Sequence, residues 1–221
     1  MTPPLRAALF DLDGTLLDTA PDMALALEQL CGEEQRITPA FQAIRAQVSH
    51  GSSGVLKLAF PDVDAATFER LRARFLNIYR QCLATHTCLF PGFDATLSAL
   101  ERAGIPWGVV TNKPGWLTDP ILESVGLQRR AGCVLSGDSL PERKPHPRPL
   151  LVAAALLAVP AAECLYFGDA QRDIMAANAA GMVALGARFG YHGPDDDPDS
   201  WQARAWLNGP MELLPWVGLA S

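Results

Sequence analysis

Five short apolar runs punctuate this chain: Ala7 to Phe10, Trp107 to Val110, Cys133 to Leu135, Cys164 to Phe167 and Val183 to Leu185. From Leu89 onward, amphipathic segments of helix length separate them, over Phe93 to Arg102, Trp116 to Val125, Pro147 to Ala158 and Asp173 to Ala180. Alternation of this kind predicts an α/β fold, a parallel sheet flanked by helices, because parallel neighbours need a crossover long enough to carry a helix. The first run must join the same sheet, since a lone strand cannot bury itself.

Between the first run and the others the periodicity is helical throughout. Met23, Leu25, Ala26, Leu27 and Leu30 populate one helix that stops near Gly32; Phe41, Ile44 and Val48 mark another. Phe68, Leu71, Phe75, Ile78 and Tyr79 mark a longer one. Residues 18–85 therefore read as a small all-helical module inserted after the first strand, with residues 1–17 and 86–221 forming the α/β core. Inside the module, Ser49-His50-Gly51-Ser52-Ser53-Gly54 is too small and polar for core. It reads as a loop or helix N-terminus whose amides and hydroxyls can face a ligand, or as a plain interhelical turn. Past Gly190 the chain turns polar, and the run Asp195 to Asp199 reads as solvated surface.

Composition narrows the function classes. With 49% apolar and 19% charged residues the chain can pack a core, and a net charge of -6 offers no footprint for nucleic acid or an anionic membrane. No apolar run approaches the ~20 residues of a membrane span, and Met1 to Arg6 lead straight into the first strand. The five cysteines lack C-x-x-C spacing and read as reduced structural thiols, so a cytoplasmic protein is expected.

Chemistry-bearing residues gather at the ends of the runs. Asp11-Leu12-Asp13-Gly14-Thr15 follows the first, Thr111-Asn112-Lys113 follows Val110, and Gly168-Asp169 follows Phe167, with Asp173 four residues on. Parallel strands put their carboxyl ends on one edge, so these stretches meet in one crevice. Asp-x-Asp-Gly alone is equally an ordinary turn with solvated acids. Together with Asp169 and Asp173, which could share a helical face, it places four acids where repulsion is costly without a cation, and a hard divalent ion such as Mg2+ answers that. The Thr111 hydroxyl and the Lys144 ammonium could then receive a phosphate.

In this order the motifs Asp11-Leu12-Asp13-Gly14-Thr15, Thr111-Asn112, Lys144-Pro145 and Gly168-Asp169-x-x-x-Asp173 resemble those of the haloacid dehalogenase superfamily, over the whole chain. The resemblance implies a Rossmann-like core with a helical cap inserted after the first strand. It implies Asp11 as nucleophile forming an aspartyl-phosphate, Asp13 as general acid and base, and Thr111 and Lys144 on the phosphoryl oxygens. Mg2+ would be held by Asp11, the Asp13 main-chain carbonyl and Asp169, with Asp173 in support. Gly14, Thr15 and Asn112, with His50, Gly51 and Ser52 of the cap, are expected against the substrate, a small phosphorylated metabolite. Because Asp13 is present, a phosphatase is expected over a dehalogenase; a phosphomutase, or a non-catalytic phosphate and Mg2+ sensor, remains open. The layout resembles the phosphoglycolate phosphatases. His86 to Gly92, Trp107 to Pro114 and Arg188 to Tyr191, followed by Asp197-Pro198 and Trp201, are more similar to the N-acetylmuramic acid 6-phosphate phosphatases, so an amino-sugar phosphate is the expected substrate.

Overall fold

The computed structural model describes residues 5–220. Met1 to Pro4, most of the Met1 to Arg6 segment read as leading straight into the first strand, and Ser221 lie outside the described residues. Strand β1 is Ala7–Phe10, and a two-residue strand β2, Leu17–Asp18, follows the acidic turn. Four helices come next: α1 Ala20–Glu33, α2 Phe41–Gln47, α3 Gly51–Ala59 and α4 Ala65–Gln81. The chain returns through β3, Cys88–Leu89, which pairs antiparallel with β2. This two-strand ribbon brackets the helical segment, and sequence reading did not anticipate it.

The alternation then runs as expected: α5 Phe93–Arg102, β4 Trp107–Val110, α6 Gly115–Ser124, β5 Cys133–Leu135, α7 Arg148–Leu156, β6 Cys164–Gly168, α8 Gln171–Ala179 and β7 Val183–Ala187. A sixth parallel strand, β8 Ala205–Leu207, lies in the stretch read as a polar tail. It escapes the reading because it is an edge strand in a polar stretch, with two of its three residues only half-buried. The order is β5-β4-β1-β6-β7-β8, parallel throughout, with β1 between β4 and β6.

Side-chain alternation splits the two faces. Ala8 and Phe10 of β1 join Leu165 and Phe167 of β6 on one face, where Phe93, Trp107 and Phe189 pack; Ala7, Leu9 and Tyr166 meet α7 and α8 on the other. Both central strands are wholly buried, which accounts for their uninterrupted apolar sequence. No helix among the described residues is long and apolar enough to cross a membrane.

The helical segment packs α1 on α4, and its apolar residues Leu27, Leu71 and Phe75 run into the same core cluster as Phe10. Asp64 starts α4 by accepting from the Thr67 amide at 2.9 Å.

Candidate active site

The carboxyl ends of β1, β4 and β6 meet, and Lys144 sits at their centre. Its Nζ lies 2.8 Å from Asp11 Oδ1 and 2.8 Å from Asp173 Oδ1, and donates to Tyr166 Oη at 2.7 Å. Asp173 Oδ1 accepts no well-directed hydrogen bond, so its pairing with Lys144 is one of charge. Tyr166 donates in turn to the Val110 carbonyl at 2.7 Å. A buried ammonium needs such satisfaction, because an unpaired charge in the interior is strongly destabilising. Asn112 fixes the lysine's backbone: its amide nitrogen donates to the Lys144 carbonyl at 2.9 Å and its oxygen accepts from the Lys144 amide at 3.1 Å. Expected against substrate, Asn112 thus spends these two contacts on positioning the lysine.

Burial pushes the Asp11 carboxyl up, but the Lys144 ammonium, aided by Arg172 and by the Leu12 amide at 2.7 Å, outweighs it and holds Asp11 below the ordinary carboxylate range. Asp169 and Asp173 go the other way. Burial, then the charges of Asp11 and Asp173, push Asp169 up to about 7; burial and Asp11 also raise Asp173. The three carboxylates each offer an oxygen within 4.8 Å of the others. Asp169 precedes α8 and Asp173 lies in its first turn, so they converge from a strand end and a helix rather than from one helical face. Three hard oxygen donors that repel one another fit a divalent cation, which would relieve the strain that raises Asp169.

Asp13 stands apart from this trio. Its Oδ1 accepts from Thr19 Oγ1 at 2.6 Å and from Lys113 Nζ at 3.0 Å, and its side chain is 16% exposed toward the cavity. Lys113 also donates to Tyr79 Oη of α4 at 3.0 Å, which links Asp13 to the helical segment. Thr111 Oγ1 accepts from the Lys113 amide at 3.1 Å, leaving its own proton for a ligand in the cavity it lines.

Gly14 and Thr15 are spent inside the site. Thr15 Oγ1 donates to Asp169 Oδ1 at 3.1 Å and Thr15 is fully buried. Gly14, at φ +80°, is packed so closely that a Cβ would lie 2.2 Å from Asp169 Oδ2. Asp169 Oδ2 accepts from the Tyr191 amide at 2.9 Å and from Ser49 Oγ at 2.8 Å.

A cavity of about 550 Å³ opens from Asp11, Asp13 and Thr111 toward the helical segment, where His50, Gly51 and Ser52 line it. Apolar side chains of Met23, Leu76, Trp116 and Leu117 share the lining with the cations Arg72, Lys113, Arg143 and Arg172. Sequence reasoning missed Arg172, whose Nη2 lies 3.8 Å from Asp11 Oδ2, because it occupies an unspecified position between Asp169 and Asp173. It also missed Tyr166 and Tyr79 as contacts, and read Ser49 as facing a ligand rather than bonding Asp169; these partners are 22 to 120 residues away.

The family model described as haloacid dehalogenase-like hydrolase matches residues 8–187. A phosphoglycolate phosphatase of Xanthomonas campestris is 48% identical over 94% of each chain. An N-acetylmuramic acid 6-phosphate phosphatase of Pseudomonas putida is 38% identical over 95% of this chain and 94% of its own. The crystal structure of a predicted phosphoglycolate phosphatase from Haemophilus somnus superposes with a TM-score of 0.86 at 27% identity, over 96% of this chain and 97% of that one.

Proposed function

This chain belongs to the haloacid dehalogenase-like hydrolases and is a phosphatase, and we propose that it hydrolyses N-acetylmuramic acid 6-phosphate, with Mg2+ as cofactor and an aspartyl-phosphate on Asp11 as intermediate. The observation that carries the chemistry is the division of labour between two aspartates two residues apart. Asp11 is buried and kept anionic beside Lys144, whereas Asp13 turns toward the cavity.

The Asp11 carboxylate attacks phosphorus, and the bond from phosphorus to the substrate oxygen breaks. Asp13 gives a proton to the leaving oxygen, then takes one from the water that attacks the aspartyl-phosphate and frees Asp11. Lys144 and Thr111 bind the phosphoryl oxygens, whose charge grows in the transition state. The Asp11 and Asp169 carboxylates and the Asp13 main-chain carbonyl, with Asp173 beside them, would hold Mg2+, which when bound would supply Lewis-acid neutralisation of that charge. Residues 18–85 act as a cap that shields these steps from bulk water over a core of 1–17 and 86–221, and His50, Gly51 and Ser52 meet the part of the substrate beyond the phosphate.

Cavity size supports the amino-sugar phosphate. About 550 Å³ with a mixed apolar and cationic lining suits a sugar ring bearing a carboxylate better than a two-carbon acid. The name borne by the relative at 48% identity supports phosphoglycolate instead. Comparing kcat/KM on the two substrates, with Mg2+ present, tests the reading: a preference of tenfold or more for the amino-sugar phosphate is expected. A preference for phosphoglycolate overturns the substrate and leaves the chemistry standing.

A further inference from the structure

Asp169 is gripped by three stretches of the chain that are distant from one another in sequence. Thr15 Oγ1, from the sheet edge, donates to Oδ1; the Tyr191 amide and Ser49 Oγ both donate to Oδ2. A carboxylate oxygen carries two lone-pair sites. Oδ2 is therefore filled, and Oδ1 keeps capacity for one more partner. Ser49 is buried in the 3-10 turn Val48–His50 that leads into α3, so it reaches Asp169 only through the packing of the helical segment on the sheet edge. Gly54 lets that turn close tightly, since a Cβ there would lie 2.5 Å from His50 Cβ and 2.9 Å from the Gln47 carbonyl oxygen. Arg45 of α2 pins the same junction by donating to the Phe189 and Gly190 carbonyls at 2.9 and 3.1 Å.

We infer that Ser49 is a positioning residue for the cation: its hydroxyl sets the orientation of the Asp169 carboxylate, so that cation affinity depends on the helical segment being seated. This rests on the reading of Asp169 as a metal ligand. Hydrogen bonds to a ligand's outer atoms fix its orientation, and losing one typically lowers metal affinity or activity about 10- to 100-fold. Because the Ser49 bond exists only in the seated arrangement, linkage requires the reciprocal effect: bound cation must hold the segment down by the same factor.

Isothermal titration with Mg2+ alone, on the full chain, tests this with four proteins: wild type, Ser49→Ala, Ser49→Thr and Asp169→Asn. Ser49→Ala is expected to weaken Mg2+ about 10-fold or more, and Ser49→Thr, which keeps the hydroxyl, to recover most of that loss. Asp169→Asn is expected to weaken binding further than Ser49→Ala. Unchanged Mg2+ affinity in Ser49→Ala, beside a large loss in Asp169→Asn, overturns the role of Ser49 alone; unchanged affinity in Asp169→Asn overturns the metal-ligand reading beneath it. No recovery in Ser49→Thr overturns the hydrogen-bond account. Hydrogen exchange of amides 48–54 in the wild type needs no variant: Mg2+ is expected to slow it at least several-fold, and exchange indifferent to Mg2+ rules the coupling out.

Discussion

The two walls of the main cavity are built in opposite ways. On the sheet side the polar groups are cross-linked: Lys144 touches Asp11, Asp173 and Tyr166, and Tyr166 is bonded again to Val110. On the helical side they hang on single contacts, Ser49 on Asp169 and Tyr79 on Lys113, while Arg72 has only an exposed pairing with Glu69. Charges buried that deeply survive only in a satisfied network, so the sheet wall is fixed in place. Arg72 is exposed and can re-aim at little cost, whereas Ser49 and Tyr79 are buried but each held by one side-chain bond, so moving the helical segment releases them together. The difference teaches that, on the proposed function, reaction chemistry and substrate choice would have separate physical carriers, a fixed wall and a movable one.

The strongest way to break that comparison is Asp11→Asn. Turnover is expected to fall by at least roughly 10⁴-fold, the scale on which losing a covalent nucleophile is felt, with an intact fold. Steady-state phosphate release and a circular dichroism melt check it, and surviving activity would move the chemistry off the sheet wall. Next come two glycines with similar φ. Gly14→Ala forces a Cβ to within 2.2 Å of Asp169 Oδ2, whereas Gly51→Ala on the helical wall meets nothing within 4 Å. Gly51→Ala meets backbone strain alone, about 1–3 kcal/mol at φ +67° and ψ -163°, whereas Gly14→Ala is expected to add an overpacking cost of about 1–3 kcal/mol to the strain of its own positive φ, and also to lose Mg2+ affinity. Equal melting temperatures for the two variants would erase the contrast in rigidity.

A smaller effect is expected from pH. Asp169 is raised from 3.8 to about 7, so the metal-free folded chain holds this proton more tightly than the unfolded chain. Its contribution to stability is full below about 3.8 and is lost as pH rises toward 7. A cation removes the repulsion, so the rise in melting temperature on adding Mg2+ is expected to be larger at pH 8 than at pH 5. Equal rises would show that carboxylate repulsion is not what the ion relieves. The smallest effect is expected for Tyr79→Phe, which deletes one hydrogen bond worth about 0.5–1.5 kcal/mol. KM is expected to rise a few-fold with kcat nearly constant; a loss confined to kcat would assign Tyr79 to the sheet wall.

Strand ends and their carboxylates were legible in the sequence because burial on both faces leaves uninterrupted apolar runs, and Asp11, Thr111 and Asp169 follow those runs directly. Helix α5 and strands β1, β4 and β5 fall on the residues that the pattern marks. Strand β8 was hidden because it lies at the sheet edge inside a polar stretch, with two of its three residues only half-buried, so it leaves no apolar run to read. The grouping of Asp169 with Asp173 was legible, but its geometry was misread, since spacing alone does not reveal that the helix begins between them.

The sequence by itself determined an α/β chain with a helical segment after its first strand and acidic residues at the strand ends, since hydrophobic period and local turn chemistry act over a few residues. Only the tertiary structure decided that Lys144 would be shared by Asp11 and Asp173, that Asn112 would serve the lysine's backbone, and that a serine of the helical segment would bond to Asp169. Those choices belong to burial: once water is excluded, each charge and each hydroxyl must find a partner within about 3 Å, and which partner is near depends on the packing of distant segments.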